Sequence, residues 1–137
     1  MSDQTDRLHV VRQWVEKAEE DLVTAEHSLT LLERCPFATV CFHAQQCVEK
    51  YIKALLACQS IDFPKVHDIG ELVELLPSDL KPPLTIAQQE ELTDHATVSR
   101  YPGDREPLSR ANAEEAVGLA RTVRGAVRTH LPREVLD

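Results

Sequence analysis

From Leu8 to Leu32 the apolar residues step by three and four without a break: Leu8, Val11, Val15, Ala18, Leu22, Ala25, Leu29 and Leu32. Only an α-helix brings such positions onto one stripe, and so long a stripe must be covered by other helices. The spacing predicts a first helix from about Arg7 to Glu33, with a coiled-coil-like seam of the kind found in bundles. Glu16, Glu19, Glu20 and Glu26 fall on the opposite side.

The same period continues down the chain. Pro36, whose ring-fixed φ suits a first helical turn, opens a second helix. Its seam is Val40, Ala44, Cys47, Tyr51, Ala54 and Cys58; Val48, Ile52 and Leu55 widen it, so this helix is expected at the centre. A short third helix follows, capped by Asp68 with Glu71 three residues on, and stopped by Pro77. Its buried face is Ile69, Leu72, Val73 and Leu76. After PSDLKPP, a weakly amphipathic fourth helix is expected from about Leu84 to Ser99, on Ile86, Leu92, Ala96 and Val98. The breaker-rich RYPGDREP leads to a fifth helix from about Ser109 to His130. Its seam of Ala113, Ala116, Ala120, Val123 and Val127 calls for close helix approach. Glu114 and Glu115 in its first turn, with Arg121, Arg124 and Arg128 toward its end, would complement the helix dipole. Four long helices and one short one, joined by short connections, predict an all-α fold: an antiparallel up-and-down four-helix bundle with an extra short helix. Residues 1–137 are expected to make a single domain.

Composition narrows the function classes. With only 4 glycines a turn-rich β-fold is disfavoured, and a net charge of −8 confines any nucleic-acid contact to a local patch. No apolar run is long enough to span a bilayer and no segment reads as a signal peptide, so a cytoplasmic, membrane-free protein is expected. Cys35, Cys41, Cys47 and Cys58 lack CxxC spacing and a paired histidine; they are read as small apolar residues. Glu-x-x-His, HExxH, Walker and GxSxG patterns are missing, so neither a metal nor a cofactor is expected.

Four constellations carry candidate chemistry. His43, Gln46, Lys50 and Lys53 share one face of the second helix, either a phosphate- and base-reading stripe or a solvated face with Glu49 pairing its lysines. At His67-Asp68, the aspartate either orients the imidazole or simply caps the third helix. Arg121, Arg124 and Arg128 form either an anion site or a dipole-compensating row. Arg100-Tyr101 suits nucleotide stacking, or packing of the tyrosine over the bundle end.

Taken in order, these pieces resemble a known family. Trp14, Lys17, Glu20 and Asp21 open the first helix. The run Phe42, His43, Ala44, Gln45, Gln46, Glu49, Lys50, Lys53, Ala54, Leu55 and Leu56 follows, then His67-Asp68-Ile69, then Arg100-Tyr101-Pro102, then an alanine-rich last helix. Together they resemble the HEPN (higher eukaryotes and prokaryotes nucleotide-binding) domain, of the type paired with minimal nucleotidyltransferases. The resemblance implies a helical bundle, commonly a homodimer, that binds nucleotide or substrate for a separately encoded nucleotidyltransferase. The implied ligand residues are His43, Gln46, Lys50, Lys53, His67, Arg100 and Tyr101. A second branch of the family consists of metal-independent RNA-cleaving toxins of toxin–antitoxin pairs, marked by an arginine and, four to six residues later, a histidine. Arg124 to His130 is a string of that length and supplies candidate catalytic residues for RNA cleavage. It departs from the pattern, with Gly125 after the arginine and Pro132 two residues after the histidine. His130 is expected on the apolar seam of the last helix. A bundle acting only in protein interaction is the third expectation.

Overall fold

The computed structural model describes residues 3–96 and 106–137, and among them every regular element is helical. The helices are α1 (Asp3–Leu29), α2 (Phe37–Cys58), α3 (Ile69–Glu74), α4 (Ile86–His95) and α5 (Arg110–Arg128), with 3₁₀ turns at Ser78–Leu80 and Arg133–Val135.

Side-chain pairs fix the directions of the three long helices. Arg7 near the start of α1 reaches Ser60 just past the end of α2, while Asp21 meets His43 near the start of α2. Those two helices are therefore antiparallel. Leu29 at the end of α1 meets Arg110 at the start of α5, and Glu19 meets Arg124. Hence α5 is also antiparallel to α1, and α2 and α5 run the same way. This is the helix order of an up-and-down bundle, with α3 and α4 as the return between α2 and α5.

As expected, α2 is central. Val40, Ala44, Cys47, Val48, Tyr51, Ile52, Ala54, Leu55 and Leu56 are all completely buried. Each large aliphatic side chain removed from water there contributes about 1.5–3 kcal/mol. The α5 seam is buried throughout from Ala113 to Val127; its alanines let the backbone approach α2 closely.

Three boundaries differ from the sequence reading. α1 starts four residues early, where Asp3 and Asp6 complement its positive end. It stops at Leu29, where Thr30 N–H and Leu31 N–H close the last turn on His27 O and Ser28 O, and Arg110 donates to Leu29 O (3.0 Å) and, just beyond the helix, to Leu31 O (2.6 Å). The chain then reverses through Arg34 (φ 58°), which leaves Leu32 93% exposed instead of on the seam. α4 starts at Ile86, two residues later than expected, and Ile86 is 68% exposed; its inward residues are Gln89, Leu92 and His95, and Val98 lies outside the described residues. It leans on α3 through a polar contact, Ile69 N–H donating to Thr93 Oγ1, while Gln89 Nε2 donates back to Leu84 O just before its own first turn. α5 is capped by a reciprocal Ser109–Asn112 box, which places Glu114 and Glu115 beyond its first turn.

Close packing of α5 sets a testable limit. Ala120 is fully buried, and Ala120→Leu is expected to lower stability by about 1–3 kcal/mol through overpacking. Urea titration measures it; an unchanged midpoint would mean that the helices have room to spare.

Candidate functional site: a charged network between α1 and α2

The polar stripe of α2 lies against α1 and the segment leading to α3, and two carboxylates organise it. Asp21 of α1 binds two stripe residues, His43 Nδ1 at 2.8 Å and Lys50 Nζ at 2.6 Å. Glu49 of α2 is only 2% exposed and binds three: Lys53 Nζ (2.9 Å), Gln45 Nε2 (2.9 Å) and His67 Nδ1 (2.9 Å). Gln46 Nε2 donates to Gln45 Oε1 (2.6 Å), which ties that side chain into the Glu49 group.

Helical spacing explains the assembly. Gln45, Glu49 and Lys53 follow one another at four residues, one above the next, and His43 and Lys50 are two turns apart facing the same turn of α1. Lys53 is 5% exposed, and its ammonium lies 5.5 Å from the Trp14 ring centre and 5.9 Å from that of Phe63. The two rings meet edge-to-face at 6.2 Å. A desolvated ammonium against two aromatic faces and one carboxylate is well compensated. Burial opposes ionisation of Glu49, but the hydrogen bonds from Lys53, Gln45 and His67 outweigh it and hold its carboxyl below the usual range.

The two ends of the network meet water differently. His67 has a 67% exposed side chain, and His43, Gln46 and Lys50 are partly exposed. Lys53 sits behind them. The structure therefore brings His43, Gln46, Lys50, Lys53 and His67 into one connected region, with Lys53 turned inward. Asp68 caps α3, Oδ1 accepting from Glu71 N–H (2.9 Å), and does not bond the imidazole beside it, whose Nδ1 contacts Glu49. Arg100 and Tyr101 lie outside the described residues.

The arginine row of α5 is paired. Arg124 binds Glu19 through Nε (2.8 Å) and Nη2 (3.0 Å), and Arg121 binds Glu26 (2.6 Å). The Tyr51 hydroxyl donates to Glu19 (2.5 Å) and accepts from Arg128 (3.2 Å). Burial and the hydrogen bond to Glu19 push the Tyr51 phenol well above its usual value. Burial disfavours the Glu19 carboxylate, yet Arg124 and Tyr51 together lower its pKa. His130 is exposed, one residue past the Thr129 cap of α5, and not on the apolar seam. Cys47 is wholly buried, and burial raises its thiol far above the usual range, in keeping with a packing role.

The sequence reading named the stripe, His67 and Glu49 as a partner for its lysines, but missed that Glu49 would be buried, that Asp21 organises the other half, and that Gln45, Trp14 and Phe63 are its walls. One signal was available. Glu49 sits beside Val48 and Ile52 on the widened apolar face, where a charge needs partners.

A helical bundle with a half-buried polar network on its central helix is the class that this geometry defines. The HEPN domain family model matches residues 11–130, and the chain belongs to that family. A crystal structure of TT1696 from Thermus thermophilus superposes with a TM-score of 0.75 at 30% identity, covering 88% of this chain and 98% of that one. The crystal structure of ST0689, an archaeal HEPN homologue, gives 0.65 at 26% identity, covering 88% and 96%. A comparison with curated proteins finds no match.

Glu49 offers a direct check. Glu49→Gln leaves the Lys53 ammonium buried without its counter-charge, and a loss of about 3–5 kcal/mol is expected. For the unaltered protein, carboxyls held low in the folded state stabilise it above their ordinary value of 4.5, and this contribution is lost as pH falls through the folded values. Stability measured by denaturant titration should therefore decline on acidification below about pH 4.5, and decline less steeply in Glu49→Gln. Parallel acid limbs for the two proteins would contradict the role given to Glu49.

Proposed function

We propose that this HEPN protein is a non-catalytic binding subunit that holds nucleotide or substrate for a separately encoded nucleotidyltransferase. The observation that carries the proposal is the α1–α2 network, whose outer atoms are His43, Gln46, Lys50 and His67 and whose inner carboxylates fix them in place. Buried charge is costly, and pairing it inside a bundle stabilises less than an apolar core of the same shape. Its retention is explained by a ligand that uses the orientation it imposes. Lys50 and His43 offer donors to a phosphate; Gln46 and His67 offer directional hydrogen bonds to a base or ribose. Lys53, Asp21 and Glu49 act as positioning residues. The protein acts as a homodimer, for which exposed Val23, Leu31 and Leu32 give apolar surface at one end of α1.

The arginine and histidine of the RNA-cleaving pattern receive no such support. Arg124 is engaged by two hydrogen bonds to Glu19, and His130 lies beyond the helix end.

Calorimetric titration with nucleoside triphosphates tests the assignment. Saturable binding is expected, weakened about tenfold in Lys50→Ala, a loss of about 1.4 kcal/mol. Absence of heat at millimolar nucleotide, or equal binding by Lys50→Ala and His43→Ala, would remove the site. Affinity capture from the native host is expected to recover a small nucleotidyltransferase, and recovery of the chain alone would remove the partner.

A further inference from the structure

At the far end of the same two helices is a groove that shares only the Trp14 and Phe63 rings with the polar network. One wall is the first half of α1. Asp3, Asp6, Val10 and Trp14 fall on one side of that helix, and its rise makes the row about 16 Å long. The other wall is the end of α2 and the segment beyond, with Ala57, Ile61, Asp62 and Phe63. Ser60, at φ 58°, turns the chain across, and Arg7 Nη1 joins the walls at 2.9 Å from Ser60 Oγ.

The groove has an apolar floor and an acidic edge. Val10 is 43% exposed, and Trp14, Ile61 and Phe63 are half-buried, so aliphatic and aromatic surface faces water along its length. Asp3, Asp6 and Asp62 are all exposed, three carboxylates against the single guanidinium of Arg7. None of the three takes part in an ion pair among the described residues.

We infer that this groove docks a basic amphipathic helix of a partner protein. Charge selects a cation, since three carboxylates outside any ion pair give a negative edge that the single Arg7 guanidinium does not balance. The apolar floor selects an occupant with hydrophobic anchors at helical spacing, as in helix-in-groove recognition. Length selects a peptide: about 16 Å is three turns of helix, well beyond the reach of a small organic cation. The partner's apolar residues seat on Val10, Trp14, Ile61 and Phe63, and its lysines or arginines meet Asp6 and Asp62. The inference rests on the groove alone and stands whether or not the neighbouring network takes a nucleotide.

Trp14 is the only tryptophan of the chain, so its fluorescence reports occupancy directly. The probe is a short leucine–lysine peptide patterned as an amphipathic helix, titrated into the full chain. A scrambled peptide of the same composition, a leucine–glutamate counterpart and spermidine serve as controls. A saturable change in Trp14 emission is expected with the patterned basic peptide alone. Affinity should fall about tenfold in Asp6→Asn/Asp62→Asn and at high salt. Val10→Gln, which makes the floor polar without changing its charge, should weaken binding to a similar degree. Circular dichroism establishes that both variants remain helical. Equal binding of the scrambled peptide or spermidine would make the groove a general cation sink and overturn the inference. So would unchanged binding in both variants, no saturable response to the patterned peptide, or emission that varies with protein concentration alone and so marks a second copy as the occupant.

Discussion

The Glu49 carboxylate, almost wholly withdrawn from water, is the constraint around which the α1–α2 face is arranged. A buried charge of this kind survives only with several partners at hydrogen-bond distance. Gln45 and Lys53 come from its own helix at fixed spacing, so α2 alone supplies two. The third is His67, from the segment that leads into α3. Lys53 in turn needs a low-cost surrounding, and Trp14 of α1 and Phe63 supply aromatic faces. One carboxylate thus orients three separate stretches of chain, and the exposed side of the same assembly is the proposed binding surface.

A second ionic group does comparable work between α1 and α5. Glu19 takes two bonds from Arg124 and one from the Tyr51 hydroxyl, which also meets Arg128. Here the tyrosine ring belongs to the hydrophobic seam of α2 while its oxygen belongs to the ionic group. The core and the polar contacts of the bundle therefore share a side chain, and α1, α2 and α5 are registered along their length as well as packed.

The helices, their order and the central place of α2 were legible in the sequence because apolar period is written locally. So were the stripe residues and the Asp68 cap. Helix ends were less legible where a distant residue bears on them: nothing between Leu29 and Glu33 announces that Arg110 takes the last carbonyl of α1 and that of Leu31 beyond it. The α4 face was read only in part: Leu92 is buried as expected, but Ile86 is exposed and the other inward residues, Gln89 and His95, are polar and carry no apolar signal. Glu49 was visible as a partner for the lysines, and its apolar neighbours Val48 and Ile52 mark it, but Asp21 looks like an ordinary surface acid until α1 and α2 are laid side by side.

The bond between Arg110 and the end of α1 links positions far apart in the chain. During synthesis the α1–α2 pair can assemble as soon as both have left the ribosome, since their contacts are nearby in sequence. The last turn of α1, however, stays unlatched until the start of α5 emerges. A nascent chain halted before that point would carry a nearly complete hairpin with one open end, with Leu29 and its neighbours offered to chaperones in the interval.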